Sequence, residues 1–178
     1  GALTEVQNVV AHSFGPSMDK VEEQAQSAIY TLGMSELSFK KYASTYQSMG
    51  LAMGITAKQV GEANNFLAKS TDGYVQASDD MADVSLNLTK LAGDIASFYD
   101  KSQADVAEDL QAVYTGMVVP LRKYGLDLTQ ATLKQWALNN GMNANIDSMS
   151  QAEKTMLRYQ YVMSQTTMAQ GDFARTAD

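Results

Sequence analysis

The chain has no cysteine, one histidine, one tryptophan and two prolines in 178 residues. Without cysteine there is no disulfide framework, no thiolate metal site and no cysteine nucleophile, and the redox compartment is left open. A zinc site needs three or four converging ligands, and a Ser-His-Asp arrangement needs a base held beside a hydroxyl. His12, alone in an amino-terminal stretch, supplies neither, so a structural or exposed role is expected for it. Positive charge is scarce too: 13 Lys and Arg against 20 Asp and Glu give a net charge of -7. Duplex binding depends on clustered Lys and Arg, yet the only adjacent basic pairs are Lys40-Lys41 and Arg122-Lys123. Both read as solvated helix faces, and no nucleic-acid binding is expected. No segment approaches the roughly 18 apolar residues of a membrane span, and the amino terminus lacks a charged start followed by an apolar stretch. A soluble, unexported chain is expected.

What the sequence does have is hydrophobic spacing at three and four residues, the mark of amphipathic helices. Met18, Val21, Ala25, Ala28 and Leu32 form one stripe between Pro16, suited to a first turn, and Gly33, suited to a C-terminal cap. Phe39, Tyr42, Tyr46, Met49 and Met53 form a second, with Ser35 as its cap. Thr56 and Gln59 make a capping box that opens a helix ending near Thr71-Asp72-Gly73. Met81, Val84, Leu88, Leu91, Ile95 and Phe98 make the clearest stripe, and this helix is expected at the centre of the core. Ser102 and Asp105 begin a helix carrying Val106, Leu110, Val113 and Met117 up to Pro120. Thr129 caps a helix carrying Leu133, Trp136 and Ala137 that stops at Gly141. Val6 to Phe14, rich in β-branched residues, is expected to be extended or frayed. The fold class is therefore all-α: a compact domain of six or seven short amphipathic helices over residues 1–178.

Chemistry-bearing constellations are few. Glu22-Glu23 and Asp79-Asp80 are neighbours in sequence and point to different helix faces, so neither is arranged across a cleft as paired catalytic acids must be. Asp79-Asp80 stands where negative charge favours a helix amino terminus. Gly50 to Gly54 (GLAMG) lacks the phosphate-loop lysine. The 11 methionines, Met117, Met156 and Met163 among them, fall largely on the stripes and are expected to fill core. No catalytic, cofactor or metal residue is expected.

The closing segment is different. Ser150 and Glu153 form a capping box, and Ala152, Met156, Tyr159, Met163 and Thr166 recur along the helix it opens, which Gly171 ends. The tail Gly171-Asp172-Phe173-Ala174-Arg175-Thr176 is too polar for core and too particular for a generic linker. Asp172 and Arg175 can pair locally, while Phe173 and Arg175 are candidates for protein docking.

QAEKTMLRYQYVMSQTTMAQGDFART resembles the end of the core region of phage tail tape measure proteins, the minor tail proteins of long-tailed phages and prophages. Glu5 to Phe14, Gly33 to Lys41, Leu86 to Tyr99 and Val119 to Leu133 resemble the same family in the same order. Residues 57–78 look like an insertion, and Met117-Val118-Val119 replaces an expected acidic stretch. The resemblance implies a structural tail protein that helps template tail-tube assembly and set tail length, placed in the virion tail after assembly in the host cytoplasm. Its implied partners are the tail tube protein, tail assembly chaperones and other copies of itself. Since the chain opens on Gly1 and the pattern runs to its last residues, a fragment of a longer chain is expected. As one helix, 178 residues would reach about 270 Å. The Gly and Pro breaks instead imply a compact module that anchors or oligomerises while neighbouring sequence supplies length. The alternatives are a cell-wall hydrolase segment and a general helical adaptor.

Overall fold

The computed structural model describes residues 1–177, and no strand occurs among them. In chain order the helices are α1 (Ala2–Phe14), α2 (Met18–Thr31), α3 (Glu36–Met53), α4 (Ala57–Ser70), α5 (Met81–Tyr99), α6 (Gln103–Asp109), α7 (Ala112–Thr115), α8 (Gln130–Asn139), α9 (Gln151–Gln165) and α10 (Asp172–Thr176). The protein is all-α, as the spacing predicts.

The caps form where the sequence places them. Ser35, Ser102 and Thr129 each accept a backbone N–H three residues on, satisfying a donor the helix leaves free. Thr56 with Gln59, and Ser150 with Glu153, close reciprocal capping boxes. Asp80 caps α5 by accepting from the Ala82 N–H at 2.9 Å, and also binds the Ser17 hydroxyl and the Lys20 ammonium.

Helix α5 is the element around which the others pack. Val84, Leu88, Leu91, Ala92, Ile95 and Ala96 face a cluster built with α4, α6 to α9 and Tyr46 of α3. Ala82 and Leu86 face a second cluster made by α1, α2 and the Phe39–Ala43 side of α3. The stripe thus marks only one of two buried faces. Only its far end, Phe98, emerges, with 40% of its surface exposed. Gly50 of α3 is buried where the Met81 methyl group lies, so a Cβ there would collide with it. Segment 57–78 is integral to this core: Val60, Ala63, Leu67 and Val75 are fully buried, and Asn64 accepts the Tyr159 hydroxyl at 2.7 Å.

Four expectations need correction. Residues 6–14 are helical: β-branched residues cost a helix only a few tenths of a kcal/mol each, and burial of Val10 and Phe14 against α2 and α3 outweighs that. The helix expected from Ser102 to Met117 divides into α6 and α7. Hydrogen bonding there tightens to three-residue steps, from Gln111 N–H to Glu108 and from Val113 N–H to Leu110. Met117 is not core; Gly116, at φ 78°, ends α7 and leaves Met117 61% exposed. Lys40 is not on a solvated face either. It has no exposed surface, and its ammonium binds Glu22 at 2.7 Å and Glu36 at 2.9 Å, joining α2 to α3.

Lys40 sits beneath carboxylates that themselves reach water. Burial alone would lower its pKa, but the hydrogen bonds and charges of Glu22 and Glu36 win and raise it above 10.5. Its contribution to stability is therefore complete below the unfolded-state value and fades as pH rises through the higher folded value. Denaturation measured across pH 9 to 12 should show a decline above about 10.5 that Lys40→Met removes, with a loss of about 1–3 kcal/mol at pH 7. Leu88→Ala should cost about 2–5 kcal/mol through the cavity it leaves, whereas Lys58→Ala on the exposed face of α4 should stay within about 0.5 kcal/mol.

Candidate protein-docking site

Both candidate docking residues lie on α10, and α10 is organised by a residue of α5. Asp94 is 2% exposed, and its carboxylate is the acceptor for three donors from two distant segments. Gly171 N–H reaches one oxygen at 2.8 Å and Phe173 N–H the other at 3.2 Å. The Tyr74 hydroxyl, from the connection after α4, donates to the first oxygen at 2.7 Å. A buried carboxylate survives only with such partners. Burial, then the Asp94 charge and hydrogen bond, push the Tyr74 phenol well above its usual range. Lys90, one turn before Asp94, donates to the Tyr74 carbonyl at 2.8 Å and lies 4.0 Å from the centre of its ring. Burial lowers the Lys90 pKa against the opposing pull of Asp94 and Asp83.

The rest of α10 follows from this placement. Gly171 takes φ 80°, which turns the chain into the helix. The Asp172 carboxylate accepts the Ser97 hydroxyl at 2.7 Å and pairs with Arg175 at 3.7 Å, the local pair the spacing allows. Arg175 also donates to the carbonyls of Gln170, at 2.8 Å, and Met168, at 3.2 Å, while its side chain stays 57% exposed. Phe173 is half-buried, with its ring on Gly33 in the α2–α3 turn. A Cβ on Gly33 would come within 2.5 Å of that ring, and φ there is 63°. Phe173 and Arg175 are therefore both engaged within the chain, one by packing and one by hydrogen bonds.

Elsewhere the surface offers less definite features. A groove of about 850 Å³ between α1, α3 and α6 is lined by Val6, Tyr42, Met49 and Ala104, with Glu5, Lys41 and Glu108 around it. Phe98 and Tyr99 stack edge to face at 5.0 Å, and Tyr99 lies 5.5 Å from Tyr124. His12 is exposed in the last turn of α1. Among the described residues, no three His, Cys, Asp or Glu side chains converge as a metal site would require, and no helix is long and apolar enough to cross a membrane.

Little in the sequence singles out Asp94. Its only signal is one acid inside the apolar run Leu91-Ala92-Gly93-Asp94-Ile95, a position where a charge needs buried donors that spacing cannot reveal. Comparison with protein families, with curated proteins and with solved structures finds no significant match.

Gly33→Ala should destabilise the protein by about 1–3 kcal/mol, combining positive-φ strain with collision against Phe173. In a Phe173→Ala background the collision is gone and only the strain of about 1 kcal/mol remains. Chemical denaturation of the two singles and the double gives the coupling directly.

Proposed function

We propose that this chain is a compact structural module of a phage or prophage tail tape measure protein, acting by helix packing and protein contacts rather than by catalysis. One observation carries the reading: three blocks of the family resemblance, far apart in sequence, meet at one place. Gly33 belongs to the block 33–41, Asp94 and Ser97 to the block 86–99, and Asp172 and Phe173 to the closing segment. Their convergence supports treating the blocks as one unit.

The compact helical architecture gives the module its part. Gly33, Gly54, Gly116, Gly125, Gly141 and Gly171 all turn the backbone through positive φ, which supports a compact module in preference to a measuring rod. Most of its helices are at or below the length that persists alone in water and depend on their shared core. On this reading the module anchors or oligomerises within the virion tail, formed in the bacterial cytoplasm with tail tube protein and tail assembly chaperones, while adjoining sequence converts residues to length.

Immobilised chain should retain purified tail tube protein or assembly chaperone from the cognate particle, and scattering in solution should give a radius of gyration near 16 Å. Retention of neither partner, or a rod-like scattering profile, contradicts the proposal.

A further inference from the structure

The closing segment is attached in two different ways, and the boundary between them is sharp. Up to Gln170 the chain is anchored by burial. Thr166, Ala169 and Gln170 are all buried, the Thr166 hydroxyl donates to the Val162 carbonyl at 2.8 Å, and the Gln170 amide donates to the Met163 carbonyl at 2.7 Å. From Gly171 to Ala177 no residue is buried. The hold of α2 and α5 on α10 includes the two N–H bonds to Asp94, the Ser97–Asp172 hydrogen bond and the Phe173 ring on Gly33. Arg175 pairs with Asp172 inside α10 and crosses the hinge only to the carbonyls of Met168 and Gln170, polar contacts that water can replace.

We propose that Gly171–Thr176 is a latch that opens and closes as a unit about Gly171 while α1 to α9 remain folded, with the Asp94 carboxylate as its catch. The inference is independent of the tape measure reading. Opening breaks polar bonds that water can replace and withdraws one half-buried ring, so it exposes little apolar surface. Residues with few buried contacts open at free energies well below global unfolding. The catch also survives opening. Tyr74 still donates to Asp94, and Lys90 still neighbours it, so the acceptor waits in place with one oxygen newly open to water and the other half satisfied. Asp94 is thus a positioning residue for a local two-state element.

Both oxygens are required, and this makes the catch testable with one atom exchanged. Asn at position 94 keeps the shape but presents one carbonyl and one NH2. The carbonyl can accept only one of the two N–H groups in the observed arrangement, and the NH2 then confronts the other donor. Native-state hydrogen exchange on the whole chain reads the result. In the unaltered protein the amides of Gly171, Phe173 and Arg175 should exchange at least about tenfold faster than those of Tyr159 and Val162 in α9. Asp94→Asn should accelerate the first set at least about tenfold more and leave the second within about threefold. Equal exchange in α9 and α10 of the unaltered protein, or no acceleration of α10 in Asp94→Asn, overturns the latch. If Asp94→Asn accelerates both helices together, Phe173→Ala decides: acceleration confined to α10 supports the proposal, and acceleration of both or neither overturns it.

Discussion

The burial of α5 on two faces governs the rest of the architecture. Hydrophobic attraction is non-directional, so two apolar faces alone would let neighbouring helices slide or rotate against α5 at little cost. Register is set by the polar residues that α5 carries into the interior, each of which must find a partner because an unsatisfied buried group costs about 1–3 kcal/mol. Ser85 donates to Gln47 at 2.7 Å and fixes α3. Asn87 donates to Tyr159 at 3.0 Å, and the Tyr159 hydroxyl donates in turn to Asn64, which ties α9 and α4 to the same turn of α5. Lys90 and Asp94 hold the connection at Tyr74 and the start of α10. One helix thereby assigns positions to segments up to 79 residues away from it in sequence.

Arg158 performs the corresponding task for the shortest helical pieces. Its guanidinium is buried and donates to the carbonyls of Val113, at 2.7 Å, and Tyr114, at 3.2 Å. These belong to α7, a four-residue helix that cannot satisfy its own terminal carbonyls. Gly116 leaves room for that side chain; a Cβ there would come within 3.0 Å of it. A charged residue on a long helix therefore stabilises the C-terminal end of a short one, which explains how a four-residue helix is tolerated against the core.

Much of the fold was legible because helix starts and single apolar faces are local properties. Capping boxes at Thr56 and Ser150 depend on side chains three residues apart, and the α5 stripe on steps of three and four. The second buried face of α5 is not legible, since only Ala82 and Leu86 mark it and two apolar residues make no stripe. Lys40 reads as a surface charge, and nothing in the sequence singles out Asp94, for a related reason. A charge is buried only when distant partners converge on it, and Glu22 or Gly171 carry no mark in the sequence of where they will lie. The candidate site was half legible: the closing segment stood out by composition, but its acceptor on α5 did not. Residues 57–78, which look inserted beside the resembled family, supply Asn64, Tyr74 and Val75, so whatever their origin the core is built around them.

The engagement of Phe173 and Arg175 within the chain changes what docking by them would require. A partner that used the Phe173 ring would have to compete with Gly33, and one that used the α10 backbone would have to displace it from Asp94. When a binding-competent form is a minor fraction, apparent affinity falls by that fraction. A closed latch favoured by about 2 kcal/mol weakens such a partner roughly 30-fold. Arg175 is in a different position, because its side chain is mostly exposed and its bonds run to Asp172 and to the nearby carbonyls of Met168 and Gln170. A contact through Arg175 can therefore form with the latch closed, whereas a contact through Phe173 cannot. The two residues that stood together as one candidate motif are physically separate, and they answer to different states of the same segment.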